Sequence, residues 1–142
     1  MFSKEESKRL REDFWIAFGK SYPQKWILYD TKIKGLSLKF HFDFKKALVS
    51  LDVEQTDLEK RIVLWEKITA LKSILKEEYL SEAIFEDYYS LENGKEISRV
   101  YIELQHVSIH NKNTWQQTMV FLKESMQSFE AFFREYETIL SD

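Results

Sequence analysis

Cysteine is absent from this chain of 142 residues, which also contains only one proline and three glycines. Without cysteine there can be no disulfide framework, no thiolate zinc site and no cysteine nucleophile. So little glycine and proline disfavours a long flexible linker or a loop-rich enzyme lid. We expect one domain spanning residues 1–142, with a core rich in the aromatic side chains that make up 15% of the sequence.

Long apolar runs are also absent, and none approaches the roughly 18 residues of a membrane span. The first residues, Met1 to Lys8, are rich in charge and lack the apolar segment of a signal peptide. We therefore expect a cytoplasmic protein with no membrane partner.

Charge is unevenly distributed along the chain, although its formal sum is only −3. Residues 20–46 hold seven lysines against two aspartates, a local balance of +5, whereas residues 47–142 sum to −8. A basic first third can bind an anionic partner, or the acidic helices can neutralise it within the chain. Both interpretations stay open at this point.

Capping patterns predict where two helices begin. Ser3 and Thr56 each precede a glutamate by three residues, which is the capping-box spacing. We predict helices over residues 3–19 and 57–79, each with an apolar side that faces the core.

The last quarter of the chain, residues 113–140, predicts a long helix. Its apolar residues recur at alternating spacings of four and three, as in the seam by which one helix lies along another. These residues are Trp115, Met119, Leu122, Met126, Phe129, Phe133, Tyr136 and Leu140. Such a helix runs about 40 Å, and it begins at Asn113, with Asn111 as the alternative cap. We expect this seam to pack on the first helix within the chain. Because it is longer than that helix, pairing of its spare length with a second copy in a homodimer stays open as well.

Between the first two helices the apolar period changes to two. Residues 37–44 have apolar side chains at even positions and residues 47–54 at odd positions, which predicts a β-hairpin. With the two lysines at 45–46 as the turn, Phe42 pairs with Val49. Two lysines are poor turn chemistry, so a longer loop is the alternative.

A second hairpin follows the second helix, since residues 84–90 and 97–104 flank the segment from Glu92 to Lys95, in which Asn93-Gly94 is a strong short-turn signal. The order is therefore helix–hairpin–helix–hairpin–helix. We predict an α+β fold in which a four-stranded, mostly antiparallel sheet packs against three helices. Residues 26–29 are a candidate for one extra strand.

The polar side of the first hairpin is the best candidate for an enzyme site. The side chains that project to this side are Lys39, His41, Asp43, Ser50, Asp52 and Glu54. The carboxylates of Asp43, Asp52 and Glu54 have roughly the arrangement that holds Mg²⁺ in nucleases of the PD-(D/E)xK type. The lysine of that signature is missing after Glu54, so Lys39 would have to replace it. An ion pair between Lys39 and Asp52 across the hairpin explains the same residues without any metal.

Polar residues also cluster before the last helix. His106 and His110 are four apart, but they lack a third ligand, so we predict no metal site. Ser108, His110, Asn111 and Asn113 are typical of a loop and a helix start, where free N–H groups can hold an anion.

Nucleic acid is the partner that the basic first third would suit, because lysines contact phosphates and exposed aromatic rings stack on bases. The candidate binding residues are Lys20, Lys25, Lys32, Lys34, Lys45, Lys46, Trp26 and Tyr29. The alternative is that the aromatic residues here belong to the core.

Short segments distributed along the chain carry a family resemblance. They are Phe14-Trp15, Tyr22-Pro23, Lys25-Trp26, Asp52-Val53-Glu54, Leu91 to Lys95 and Val107 to Trp115, within which S-I-H-N-K-N-T-W is the most specific. Together they resemble a bacterial domain of unknown function, family 4268, over essentially the whole chain. The resemblance implies a bacterial, cytoplasmic context and no catalytic residues to carry over. Some longer members carry this domain after a restriction-nuclease-like domain, which implies an accessory role near DNA.

From the sequence we therefore expect a non-enzymatic interaction module that binds protein or nucleic acid through its basic first third. No cofactor is expected under this hypothesis. The alternative is a Mg²⁺-dependent, nuclease-like enzyme that uses the polar side of the first hairpin.

Overall fold

Helices and strand pairs alternate along the chain in the predicted order. The computed structural model describes residues 1–142. Its elements are α1 (Lys4–Ser21), β1 (Leu36–Phe42), β2 (Lys46–Val53), α2 (Leu58–Ala70), α3 (Lys72–Glu78), β3 (Ile84–Ser90), β4 (Glu96–Gln105) and α4 (Trp115–Ser141), with a 3₁₀ turn at Lys112–Thr114. None of these helices combines the length and the apolarity that crossing a membrane requires.

The four strands form one sheet in the order β1-β2-β4-β3, and every neighbouring pair is antiparallel. The two hairpins therefore meet through β2 and β4, which are distant in sequence. α4 lies across β2 and β1 on one face, where apolar side chains from the sheet and the helices fill the core. Phe14, Leu38, Leu51, Leu122 and Phe129 are fully buried there, and each such side chain stabilises the fold by about 1.5–3 kcal/mol. The predicted α+β fold with a long C-terminal helix is confirmed.

The predicted N-terminal cap is correct for the first helix and wrong for the second. The backbone N–H of Ser3 donates to the Glu6 carboxylate, and the N–H of Glu6 donates to Ser3 Oγ, both at 3.1 Å, which completes the predicted capping box. Thr56 is the wrong cap for the second helix, because the carboxylate of Asp57 accepts the N–H of Glu59 at 3.0 Å. Aspartate is favoured here because its charge also complements the positive end of the helix dipole.

The helix predicted over residues 57–79 is interrupted at Leu71. Here the backbone N–H donates to the carbonyl of Ile68, three residues back, at 3.0 Å, and such a tighter turn changes the helix direction. The side chains of Leu71 and Leu75 are both buried. The break therefore lets α3 follow α2 while keeping its apolar side on the core.

The apolar seam of α4 is covered within the chain. Seven of its eight residues are buried and Tyr136 is half-buried. The helix begins at Trp115 rather than at Asn113, because Asn111 caps the preceding 3₁₀ turn by accepting the N–H of Asn113 at 3.1 Å. At the far end Leu140 is also buried, beside residues of α2 and of the loop before β1. The seam has no uncovered length for a second copy, so a homodimer through α4 stays a prediction that the seam no longer supports.

The loop between α1 and β1 is fastened to its neighbours and does not form the extra strand predicted at residues 26–29. The N–H of Ile27 donates to the buried Glu130 carboxylate of α4 at 2.6 Å. The carbonyl of Leu28 accepts the N–H of Leu38 in β1 at 2.9 Å. Leu28 itself has a φ of 47°, a left-handed conformation that cannot continue a strand.

The first hairpin has the predicted faces but a different register. Phe42 pairs with Ala47 rather than with Val49. The turn is longer than two residues because the Asp43 carboxylate accepts the N–H groups of residues 45 and 46 at 2.7 and 2.9 Å. The register differs by two positions, and a shift by an even number leaves every side chain on its predicted face.

The second hairpin turns where it was predicted to turn. The N–H of Leu91 donates to the carbonyl of Lys95 at 2.8 Å, which closes the turn around Asn93-Gly94. Gly94 has a φ of 86°, which glycine adopts without strain. A bulge over residues 86–89 interrupts β3, and a bulge bends the strand that contains it.

Candidate functional site

The sheet face opposite the helices is partly buried, although its residues are polar. Ser50 and Asp52 of β2 are 0% exposed, and Arg99 of β4 is 7% exposed. The bulged end of β3 contributes to this burial, because the Tyr89 ring lies 4.4 Å from the guanidinium of Arg99. We call the resulting concavity the polar cleft.

The polar cleft has a volume of about 410 Å³, within the range of small-molecule sites. One wall is residues 39–41 of β1, and the other is residues 89–92 at the end of β3. The floor includes Leu48, Ser50 and Arg99. Since β2 and β4 lie between the two walls in the sheet order, the sheet curves toward this face.

An ion pair is buried at the floor of the polar cleft. Arg99 donates from Nε and Nη2 to the two carboxylate oxygens of Asp52, at 2.7 and 2.8 Å. This bidentate geometry is the strongest arrangement for such a pair. Lys39 Nζ lies 3.2 Å from the same carboxylate and 2.7 Å from that of Glu54. Lys39 pairs with Ser50 in the strand register, so it reaches Asp52 diagonally, and the predicted ion pair is present.

Both cations of this network remain charged. Burial alone would lower the pKa of Lys39, but its hydrogen bond to Glu54 and its attraction to Asp52 outweigh burial and raise that pKa. The pKa of Arg99 is also raised, since its bonds to Asp52 outweigh the opposing effect of burial. At the outer edge, Lys95 lies 3.8 Å from Glu54.

Ser50 is the one buried side chain whose polar atom has no hydrogen-bond partner within the protein. Its hydroxyl lies on the cleft floor between Lys39 and Tyr101, its register partners in β1 and β4. By contrast, Ser98 on β4 is similarly buried but donates its hydroxyl to the carbonyl of Asp87 at 2.8 Å. An unpartnered buried hydroxyl costs about 1–3 kcal/mol, so the position of Ser50 calls for a physical explanation.

Asp43 lies at the end of the polar cleft away from the Asp52–Arg99 ion pair. Its carboxylate contacts His41 Nε2 at 2.8 Å and also caps the hairpin turn. Burial would raise the pKa of Asp43, but the hydrogen bonds from His41 and from the turn N–H groups lower it below its ordinary value. Lys46, beside it, pairs with Glu103 at 2.9 Å.

The carboxylates predicted for Mg²⁺ are not brought together as a set. Asp52 and Glu54 share Lys39, whereas Asp43 caps the turn next to Lys46, at the opposite end of β2. Asp52 lies six positions along the strand from Lys46, which corresponds to about 20 Å. No group of three or more His, Asp or Glu side chains in the protein is arranged to hold a metal ion. The prediction that Asp43, Asp52 and Glu54 form one site is therefore wrong.

His41, Asp43 and Ser50 line the same cleft without forming a catalytic triad. A triad requires the serine hydroxyl to hydrogen-bond to the histidine, and Ser50 has no such bond. The His41–Asp43 contact is instead part of the turn structure.

The predicted nucleic-acid residues do not form one surface. Lys32 pairs with Asp30 at 2.7 Å. Lys45 is exposed in the turn after β1, whereas Lys32 precedes this strand. Lys46 lines the polar cleft. Trp26 is half-buried against Phe18 and Phe40, whereas Tyr29 is 73% exposed. The remaining exposed members are Lys20, Lys25 and Lys34.

The polar cluster before α4 serves the structure of its own loop. Ser108 Oγ accepts the N–H of His110 at 3.1 Å, and the Asn111 side chain caps the 3₁₀ turn at Asn113. The His110 ring stacks on Phe2 at 4.3 Å, and its Nε2 lies 2.7 Å from the hydroxyl of Ser7. These contacts dock the start of α1 on the loop. They also occupy polar groups of the cluster that was expected to hold an anion.

Arg99 and Tyr89 are the site residues that sequence patterns did not single out, whereas Ser50 was placed on the polar side of the first hairpin. Alternation placed Arg99 on the polar face of its strand, which was the only available signal. What brings Arg99 and Ser50 together is the pairing of β2 with β4, in which Asp52 faces Arg99. These two residues are 47 positions apart in the chain, so no local pattern could reveal their pairing.

The fold and the cleft define a small α+β domain with a polar, ligand-sized concavity on the sheet face that no helix covers. Residues 10–137 match the family described as domain of unknown function DUF4268, and the chain belongs to that family. This confirms the resemblance seen in the sequence. No curated protein and no solved structure matches the chain.

Proposed function

We propose that the protein is a non-enzymatic binding module that recognises its ligand in the polar cleft. The observation that carries this proposal is the fully buried, unpartnered hydroxyl of Ser50 on the cleft floor. A bound ligand would supply the missing partner. The cleft is also large enough for a ligand rather than for a single water molecule.

The buried charges at the floor support the same function. A buried ion pair such as Asp52–Arg99 contributes little more stability than apolar residues of equal volume would. Stability therefore does not explain why charged residues occupy the centre of this sheet. A role in recognition does, because the pair holds the guanidinium in one orientation at the cleft floor.

Binding is favoured over catalysis by how the side chains are committed. Both carboxylate oxygens of Asp52 accept hydrogen bonds from Arg99, and one also contacts Lys39. Such a carboxylate has both oxygens committed to neighbouring cations and little capacity left to accept a proton from a ligand. Ser50 has no base beside it that would activate the hydroxyl. The floor is thus rigid and rich in donors, which suits recognition.

A macromolecular partner fits this proposal when it presents an end or a side chain to the cleft. Lys39 and Lys46, which belong to the basic first third, both line the cleft. Fluorescence anisotropy with labelled single- and double-stranded DNA and RNA, at low and moderate salt, tests the nucleic-acid form. We expect salt-dependent binding if phosphates are contacted, and its absence would remove nucleic acid as the partner.

Blocking the cleft tests the proposed function directly. Ser90 is exposed on the cleft wall, so Ser90→Trp places a large ring at the mouth without disturbing the core. Ser81→Trp, in the exposed turn before β3, is the matched control. Amino acids, nucleotides, sugars and organic acids are screened by thermal shift. Ligands that stabilise the wild type and Ser81→Trp but not Ser90→Trp support the cleft. Ligands that ignore Ser90→Trp, or a library without any ligand, contradict it.

A further inference from the structure

We propose that the floor of the polar cleft is a subsite for one anionic group, a carboxylate or a phosphate. This inference rests on the proposed function, since it assumes that the cleft is the ligand site. The subsite consists of Ser50, Arg99 and Lys39, which lie together at the floor and on the adjoining wall.

Each of these three side chains has at least one hydrogen-bond donor. Arg99 uses Nε and Nη2 for Asp52, which leaves Nη1 outside the ion pair. Lys39 has three N–H donors, and it contacts two carboxylates and lies 6.0 Å from the centre of the Tyr29 ring. The Ser50 hydroxyl has its donor uncommitted. Three donor side chains that line one cleft match the oxygens of an anionic group.

The charges at the floor balance within the protein. Lys39 and Arg99 are paired with Asp52 and Glu54, so an anionic group would be held through N–H and O–H donors and not by a net positive charge. Such hydrogen bonds are strong in a partly desolvated place.

Further carboxylates near the cleft limit where the anion can lie, and one of them, Asp43, lies at the other end of the cleft. Glu86 faces Arg99 in the strand register, but it accepts a hydrogen bond from the hydroxyl of Tyr101. Glu92 is exposed on the β3 wall, where it repels an anion. The anionic group is therefore expected on the β1 side of the floor, beside Lys39, and the rest of the ligand toward the β3 wall.

NMR titration of the ¹⁵N-labelled full chain tests the subsite. The probes are inorganic phosphate and acetate at constant ionic strength, with chloride as the background anion. We expect the backbone amides of Ser50 and Arg99, and the Nε–H of Arg99, to shift with saturation. The probe that saturates at about fivefold lower concentration, a difference of about 1 kcal/mol, identifies the group. If neither probe shifts these signals beyond chloride, the subsite is overturned.

Three variants give the titration its controls. Ser50→Ala removes one neutral hydrogen bond and is expected to weaken binding about fivefold. Lys39→Gln removes a charged donor and is expected to weaken it about tenfold or more. Lys8→Gln alters an exposed lysine of α1, outside the cleft, and it is expected to change affinity less than about twofold. Equal weakening by Lys8→Gln would show general charge attraction and would overturn the subsite.

The outcomes separate this inference from the proposed function. A neutral ligand that is lost in Ser90→Trp, together with anions that cause no cleft shifts, would sink the subsite and leave the binding module standing. Anion shifts that follow the three variants as expected support both. If neither anions nor any screened ligand perturbs the cleft, both proposals fall.

Discussion

Replacing Ser50 with alanine is expected to stabilise the protein, although most substitutions of buried residues destabilise. The hydroxyl is 0% exposed and has no partner within the protein. In the unfolded chain the same hydroxyl is hydrogen-bonded to water, so folding costs it that interaction. Alanine has no hydroxyl and avoids the cost.

The size of the gain follows from two terms. An unsatisfied buried hydroxyl costs about 1–3 kcal/mol, and alanine recovers part of this. Because Ser50 borders the polar cleft, removing Oγ leaves no closed cavity, and the opposing cavity term is small. We expect the free energy of unfolding to rise by about 1 kcal/mol, equivalent to about 3 °C in melting temperature for a chain of this size.

Ser98 provides a matched control on the neighbouring strand. It is 2% exposed, but its hydroxyl donates to the carbonyl of Asp87 at 2.8 Å. Ser98→Ala is therefore expected to lower the free energy of unfolding by about 1 kcal/mol. Urea unfolding of both variants, with equal m-values as the check on two-state behaviour, measures the difference of about 2 kcal/mol. If Ser50→Ala destabilises as much as Ser98→Ala, Ser50 has a partner and its hydroxyl is not available to a ligand.

Three further substitutions test the charges and the turns. Asp52→Asn leaves the Arg99 guanidinium buried without its counter-charge, and urea unfolding should show a loss of about 3–5 kcal/mol; no loss would mean that water reaches the pair. Because hydrogen bonds lower the pKa of Asp43 below its ordinary 3.8, its stabilising effect is present above that pH and is lost as pH falls through the folded-state pKa. Asp43→Asn should therefore flatten the decline of stability between about pH 5 and pH 2, and an unchanged slope would contradict this. Gly35 and Gly94 both have positive φ, but a Cβ at Gly35 would lie 2.9 Å from Gln55, the second residue after β2, whereas at Gly94 it meets open space. Thermal melts should show Gly35→Ala as the more destabilising, by more than about 1 kcal/mol, and equal losses would refute the predicted clash.

Local patterns predicted most of the fold because they depend on neighbours in sequence. The capping box at Ser3 and the Asn-Gly turn before Lys95 are interactions within three to five residues, and both formed as expected. The hairpin register at Phe42 differed because Asp43 lengthens the turn with its side chain. Aspartate favours such turns through its side chain, but the alternation of side chains by itself predicts the faces and not the pairing.

The helix break at Leu71 could not be predicted from propensity. Leucine is a good helix former, and neither glycine nor proline marks the position. The break arises where Leu71 and Leu75 bury their side chains in the core. Tertiary packing therefore overrides the local preference, and a sequence pattern has no access to it.

The sequence predicts a solvent-exposed polar face on the first hairpin, and in the structure this face is the partly buried polar cleft. Alternation correctly placed Lys39, Ser50 and Asp52 on one side of the first hairpin, and on a two-stranded ribbon that side would be solvated. Burial requires β4 to pair with β2, so that Arg99 comes opposite Asp52, and the bulged end of β3 to place Tyr89 over the guanidinium. Both events join segments from opposite halves of the chain. The first half of the sequence therefore predicts which polar side chains of the first hairpin line the cleft. Only the second half of the chain buries them, and this burial is what makes an unpartnered Ser50 hydroxyl costly.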